Sequence, residues 1–451
     1  MLLVGGIFAY VACFEWMYED YLYPMWGYLG FDYNPPVRIY LVLAWILSVA
    51  PSLWMPIKLT RPSQLSYWVL YVAVIIPSMF VPLYLGLDSP AEIARLMLAL
   101  FAGFAIAGGS YMLPLFRIHP WRIPRKLFWR AVACVATALA LWLLVIFRHH
   151  LRIVSFFDVY DLRDAANDVA EGSNVNYAFM LLTGAVNPFL MGCGLYYRRK
   201  WFFVAGALGQ VLVYSVGGTK GSILSVAFIL GFYLLLKTRT SSFGLKMTFV
   251  PLALIFGMCL SYLWTHYDPG PLQSIVLFVV LMRVLSINGL LTAQYFSFFQ
   301  SNPLTYFSHI KGVNWFVHYP YQYSVGQEIG LATSGTTNLD ATAHFWATDG
   351  IGGLGLPGVL LVSILCALVF WMLDSLTRRH DPRLIALVTT YAAYNLANIS
   401  IFTTLLSGGL ALLMMTLYLM PIGAPALSGS ARWKMKHRTL MPSEGAISSG
   451  V

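Results

Sequence analysis

A lysine in a glycine-rich segment is the first residue with a clear chemical use. Lys220 lies in SVGGTKGS, where Gly217, Gly218 and Gly221 allow a backbone to approach a ligand closely. An apolar helix is predicted to begin near Ser222, so its first amide groups add positive potential. A cation beside a helix N-terminus is typical of an anion site. The alternative is a tight turn whose lysine reaches a polar surface.

Three arginines are further candidates for binding an anion. Arg283 lies in the apolar segment VVLMRVLSING, where a charge is costly and usually faces a cavity or a partner such as Asp268. Arg163, in DVYDLRD, is flanked by acids, so a local salt bridge competes with ligand binding. Arg152 follows an apolar stretch directly and is as well placed to anchor to lipid headgroups. Guanidinium groups offer paired planar donors, so converging cations could hold a diphosphate and stabilise it as it leaves.

Residues late in the chain are candidates for acting on a sugar. A neutral His344, in NLDATAHFWATDGIGG, could take a proton from a hydroxyl group. Asp349 could orient that base, act as a base itself, or cap the next helix. His318, Tyr321 and Tyr323, in WFVHYPYQY, are predicted to contact sugars, although a membrane-interface belt also explains an aromatic cluster. No metal-ligand spacing and no GxxxxGK[ST] loop occurs, so no metal or cofactor is predicted.

The elements that must position these residues are predicted to be membrane helices. Of the 451 residues, 59% are hydrophobic and 10% are charged, against about 25% charged residues in soluble domains. This composition excludes a soluble enzyme and predicts an all-α polytopic membrane protein with a single transmembrane domain over residues 1–427. The predicted spans are 1–18, 39–57, 64–86, 91–113, 127–147, 174–196, 202–217, 221–236, 247–264, 355–373, 384–402 and 405–424.

The distribution of charge predicts the orientation of these spans. Most Lys and Arg residues fall in alternate connections, which are therefore predicted to be cytoplasmic, as are both termini and a disordered basic tail at 428–451. The segments at about 149–173 and 265–354 become outer loops. Residues 273–298 fit this pattern only as a re-entrant or interfacial helix that lines a cavity. Topology thus explains most of the net charge of +10, whereas basic residues on the outer side, Lys311 among them, need another explanation.

Four features together resemble the bacterial O-antigen polymerases (Wzy-type oligosaccharide repeat-unit polymerases) and the related O-antigen ligases. They are the plan of about 12 spans with a large outer loop before the last three, DVYDLR after the fifth span, GGTKGSIL at the eighth, and His344 followed by Gly355-Leu356-Pro357-Gly358. In the ligases a functional His is followed by Asn. Phe345 stands at that position here, which favours a polymerase.

The resemblance implies a GT-C-like glycosyltransferase at the periplasmic face of the bacterial inner membrane. Such an enzyme transfers a growing glycan from undecaprenyl diphosphate onto a new lipid-linked repeat unit, without a metal. Arg163, Lys220 and Arg283, with Arg152, would hold the donor diphosphate, and His344 would activate the acceptor hydroxyl. Its partners would be undecaprenyl-diphosphate-linked glycans, the lipid bilayer and a chain-length regulator protein, and not nucleic acid.

Other classes of membrane protein share part of this pattern. A flippase for lipid-linked oligosaccharides would also have about 12 spans and buried cations. Transporters usually consist of two pseudo-repeated halves, and the asymmetric position of the long outer loop argues against that arrangement. An O-antigen ligase and a membrane acyltransferase that uses a His near the membrane are further alternatives.

Overall fold

The fold is built from helices, without strands, in the part of the chain that the structure describes. This part of the computed structural model comprises residues 1–119, 121, 123–152, 175–238, 240–265, 268–337 and 340–423. Arg163 and the predicted tail at 428–451 lie outside it. The predicted class, an all-α polytopic membrane protein, is confirmed. Within the described ranges, ten helical stretches are long and apolar enough to cross a bilayer, or eleven if one bent pair is a single span.

Two predicted spans are shorter or less regular than the sequence suggests. Helix α2 (Arg38–Leu53) is too short for a full span by length, and the predicted span at 384–402 is divided at Thr389 into α14 (Pro382–Val388) and α15 (Thr390–Leu396). The Thr389 hydroxyl donates back to the Ile385 carbonyl at 2.8 Å, a contact that weakens a helix. The helices are α1 (Leu2–Leu29), α2 (Arg38–Leu53), α3 (Ser63–Leu85), α4 (Pro90–Met112), α5 (Arg125–Phe147), α6 (Val175–Tyr196), α7 (Lys200–Gly217), α8 (Lys220–Lys237), α9 (Thr240–Trp264), α10 (Pro271–Val284), α11 (Ile287–Ser301), α12 (Val325–Ser334), α13 (Trp346–Thr377), α14 (Pro382–Val388), α15 (Thr390–Leu396), α16 (Ile401–Leu405) and α17 (Leu410–Leu419).

The connections that the charge pattern groups together meet at one end of the bundle. We call it the basic end; it is formed by the starts of the odd-numbered helices α1 to α9 and the ends of the even-numbered helices α2 to α8. The Arg61 guanidinium donates to the carbonyls of Ser110 and Leu113 at 3.1 and 3.0 Å. The Tyr196 hydroxyl donates to the Asp381 carboxylate at 2.8 Å, which brings the start of α14 to the same end. The predicted alternation of the first nine helices therefore agrees with their contacts.

The opposite end of the bundle, which we call the acidic end, joins helices through carboxylates. Glu15 accepts hydrogen bonds from the Trp45 indole at 3.1 Å and from the Tyr84 hydroxyl at 2.8 Å. Tyr33 donates to Glu19 at 3.2 Å. These contacts connect α1, α2 and α3 by neutral donors, so the carboxylates are satisfied without ion pairs.

A short helical segment at residues 345–353, which includes the first part of α13, folds back along the remainder of that helix. The chain turns at Gly355, whose φ of 69° and ψ of −149° interrupt the helix. The Trp346 indole donates to the Ser363 hydroxyl at 2.8 Å, although a straight helix would separate these residues by about 25 Å. We call 345–353 the re-entrant segment. The end of the re-entrant segment contacts the loop after α11, where the Thr305 N–H and hydroxyl both reach the Gly352 carbonyl at 2.9 Å.

The predicted irregular helix at 273–298 corresponds to α10 and α11, which are bent by 46°. Helix α11 is buried against α3 through polar contacts. The Asn288 side chain donates to the Ala73 carbonyl at 2.8 Å, and the hydroxyls of Ser78 and Thr292 are 2.8 Å apart. Protein therefore covers α11, as an irregular segment at membrane depth requires.

Substitution of Gly355 with Ala is expected to destabilise the fold through the backbone alone. No atom lies within 4 Å of a Cβ built at Gly355, so the cost is the strain of a glycine-specific conformation, about 1–3 kcal/mol. The measurement is the thermal unfolding midpoint in detergent. Gly231→Ala on α8 is the matched control, because its Cβ also meets open space in ordinary helical geometry. Equal midpoints for the two variants would contradict the strain.

His380 gives the basic end a pH dependence whose sign can be worked out. Burial and then the charge of Arg379 lower the pKa of His380 from 6.5 to about 4. The unfolded residue therefore gains a proton at higher pH than the folded one. The contribution to stability is complete above pH 6.5 and is lost as the pH falls towards 4. We expect the unfolding midpoint of His380→Gln to fall less than that of the wild type between pH 6.5 and 4; an identical fall would argue against this role.

Candidate functional site

Tyr394 of α15 lies against the start of α8, where Lys220 is found, and within electrostatic range of Arg283. Helices α7 and α8 are joined by a short turn in which Gly218 is left-handed, with φ of 58°, and Lys220 is the first residue of α8. The next residue, Gly221, packs closely on Tyr394 of α15: a Cβ atom added at Gly221 would lie 3.3 Å from the Tyr394 hydroxyl oxygen. The positive charge of Arg283 acts on the same hydroxyl. Convergence of the Lys220 and Arg283 side chains on one diphosphate stays a prediction.

Arg152 is held in the same region by its backbone. Its N–H donates to the Ser215 carbonyl at 3.1 Å, in the last turn of α7 and close to the start of α8. The loop residue Lys311 contacts the start of α6, because its ammonium group lies 5.8 Å from the centroid of the Tyr177 ring. A small apolar cluster packs these helix ends together, and it consists of Leu143, Phe147, Val175, Ala178, Leu182, Val213 and Val216. Arg163, the fourth predicted diphosphate ligand, lies outside the described residues.

A histidine–aspartate pair joins the loop after α11 to the re-entrant segment. His309 Nε2 is 2.9 Å from Asp349 Oδ1, and His309 Nδ1 is 3.0 Å from the Thr305 hydroxyl. Asp349 is fully buried, and it also accepts from the Ser400 hydroxyl and the Ile401 N–H, each at 2.7 Å. Asp349 therefore fixes the orientation of the His309 ring and ties the re-entrant segment to the start of α16.

His309 is a functional candidate that no sequence pattern indicated. It lies in a loop, and its partner Asp349 is 40 residues away, so no local spacing marks the pair. The backbone just before it is strained, since Tyr306 and Phe307 have φ of 47° and 62°. Non-glycine residues keep such angles only where the surroundings hold them. Here the Tyr306 N–H donates to the Gly353 carbonyl at 3.0 Å.

His344, the predicted base, is fully buried and both of its ring nitrogens have partners. The Ala347 N–H donates to Nδ1 at 3.3 Å, which assigns the ring proton to Nε2. Nε2 then donates to the Thr292 hydroxyl at 2.8 Å, and that hydroxyl donates to the Asn288 carbonyl at 2.6 Å. His344 also has no exposed surface that a substrate could reach, whereas the His309 side chain is 11% exposed. The geometry therefore favours a structural role for His344, in joining the re-entrant segment to α11, over the predicted catalytic one.

The residues predicted to contact sugars lie in the loop between α11 and α12. The Tyr321 hydroxyl donates to the Pro303 carbonyl, and its ring packs against Phe298 with centroids 5.8 Å apart. Tyr321 thus anchors the loop to the end of α11. His318 and Tyr323 are exposed at the loop surface. Their contact with sugars stays a prediction.

Comparison of this chain with protein-family models, with curated proteins and with solved structures finds no match. The fold itself defines a multi-pass, all-α membrane protein. Its acidic end combines several cations with a buried histidine–aspartate pair. Among the described residues, no three His, Cys, Asp or Glu side chains converge in the way that a metal site requires.

Proposed function

We propose that the chain is an inverting membrane glycosyltransferase that polymerises undecaprenyl-diphosphate-linked oligosaccharide repeat units, as an O-antigen polymerase does. One observation carries the proposal: α15 and the turn after it connect both parts of the site. Tyr394 on α15 lies against Gly221, the residue after Lys220, and within electrostatic range of Arg283, and Ser400, after the turn, hydrogen-bonds to Asp349. A diphosphate-binding cluster and an oriented histidine are therefore neighbours.

The orientation follows from the two ends of the bundle. We place the basic end and both termini in the cytoplasm and the acidic end in the periplasm of a bacterial inner membrane, because basic connections are retained on the cytoplasmic side. The short helix α2 and the broken pair α14–α15 each connect the two ends. Counting both as crossings supports a GT-C-like arrangement with twelve passes.

In this proposal the cations act on the donor and the histidine acts on the acceptor. Lys220, Arg283 and Arg152 hold the diphosphate and stabilise the negative charge that develops as it leaves. Asp349 occupies the Nε2 side of His309, which directs Nδ1 towards the acceptor hydroxyl in place of Thr305. As His309 takes the hydroxyl proton, the oxygen attacks the anomeric carbon and the diphosphate departs with the bonding electrons. Attack opposite the leaving group inverts that carbon.

The test is extension of lipid-linked repeat units by the purified protein. The protein is reconstituted in liposomes with undecaprenyl-diphosphate repeat units, and glycan length is followed by mass spectrometry. We expect longer glycans without added metal. A fluorescent lipid-linked glycan in parallel vesicles distinguishes the flippase alternative, because translocation without extension would overturn the proposal.

A further inference from the structure

A second cationic cavity lies at the basic end, remote from the proposed catalytic site. It has a volume of about 340 Å³ and is lined by Arg117, Arg378 and Arg379, together with His119 and Tyr418. Arg379 is fixed in this wall, because its guanidinium donates to the carbonyls of Tyr418 and Met420. Arg117 and Arg378 are exposed.

The carboxylates nearest to this cavity are already engaged. Asp381 pairs with Arg383 at 2.6 Å, and Asp374 accepts from the Ser63 N–H at 3.0 Å and its hydroxyl at 2.7 Å. In the ranges that the structure describes, Arg117, Arg378 and Arg379 form no ion pair with a carboxylate. The cavity therefore concentrates positive charge without a balancing acid, which favours an anionic ligand.

An apolar groove of about 480 Å³ adjoins the cavity on the outer surface of α5, α6 and α17. Its lining includes Leu127 and Met415, which are 58% and 60% exposed, as expected of side chains that face acyl chains. The two spaces share a wall, since Tyr418 lines the cavity and Leu419 the groove. Arg125 reinforces this wall by donating to the Ile422 carbonyl at 2.6 Å.

We propose that the cavity and the groove together bind one anionic phospholipid of the bilayer. Its phosphate contacts Arg117 and Arg378, and one acyl chain lies in the groove. Guanidinium groups bind phosphate by paired hydrogen bonds, and basic pockets between helix ends on the cytoplasmic side are suited to such headgroups. Phosphatidylglycerol meets both requirements. Among the described residues that line the cavity there is no carboxylate for the ammonium group of a zwitterionic lipid, and inorganic phosphate cannot use the groove.

The test measures lipid selectivity and does not depend on glycosyl transfer. Full-length protein is delipidated in a neutral detergent and titrated with phosphatidylglycerol, phosphatidylcholine or inorganic phosphate. Native mass spectrometry counts bound lipids, and the thermal unfolding midpoint is recorded. We expect phosphatidylglycerol to bind and raise the midpoint, and the other two probes to have little effect. Equal binding of both lipids, or an equal effect of phosphate alone, would overturn the proposal.

Variants assign the binding to this site. The double variant Arg117→Gln, Arg378→Gln should weaken phosphatidylglycerol binding at least about tenfold, because two charged hydrogen-bond donors are lost. Ala131→Trp, which fills the groove, should weaken it through the acyl chain. Arg199→Gln is the matched control, since it removes an exposed arginine of the basic end that lines neither space. Wild-type affinity in the double variant would also overturn the proposal.

Discussion

Replacing His309 with Gln is expected to slow glycan extension by about 100- to 10,000-fold, the range that a positioned general base contributes. Glutamine keeps much of the size and hydrogen-bonding capacity of the ring but cannot accept the acceptor's proton at neutral pH. The side chain is only 11% exposed and is held by a fully buried aspartate. Asp349→Asn should also slow extension, because an amide cannot stabilise the imidazolium that forms during proton transfer.

The measurement is the initial rate of extension in liposomes, with the dependence of kcat on pH. His150→Gln is the matched control, because it changes an exposed histidine outside the proposed site, and its rate should stay close to that of the wild type. A merely structural role for His309 would lower the yield of folded protein without changing the pH profile. If His309→Gln extends glycans at the wild-type rate while a folded His344→Gln does not, the base is His344.

The distribution of charged residues allowed the two ends of the helix bundle to be predicted from the sequence, for a physical reason. A charged side chain in an apolar segment is costly, and Arg283 accordingly lies at an exposed position of α10. The same cost restricts most of the remaining cations to connections, which is why the two ends of the bundle could be predicted. The start of the span at 355 was also predictable, and the backbone turns at Gly355.

The histidine that we propose as the base could not be predicted, because its environment is tertiary. His344 has apolar neighbours and a glycine motif after it, but only the fold shows that Thr292 and the Ala347 amide occupy both of its ring nitrogens. His309 has no such neighbourhood, and its partner comes from the re-entrant segment. That segment is too short to register as a span and contains Asp349. The segment packs along the part of α13 after Gly355, and this packing depends on the turn at Gly355 and on the contact of Trp346 with Ser363.

Removing the positive charges of Lys220 and Arg283 is expected to abolish most donor binding. Each charged hydrogen bond to phosphate contributes about 1.5–3 kcal/mol, so each single Gln variant should lose about 10- to 100-fold in kcat/KM. Arg283→Lys should recover only part of the loss, because an ammonium group lacks the paired donors of a guanidinium. Activity of the wild type should fall with added salt, and the double variant should be less sensitive to salt.

The comparison that decides this is between cations at the same end of the bundle. Arg95→Gln is the matched control, since Arg95 is an exposed arginine of α4 that lies 3.7 Å from Glu92 and has no place in the proposed site. Its removal should leave kcat/KM within about twofold, because an exposed ion pair contributes little. If the cations bind the diphosphate in its ground state, KM for the donor rises; if they act mainly as it leaves, kcat falls. A double variant with unchanged kcat and KM would remove Lys220 and Arg283 from the site.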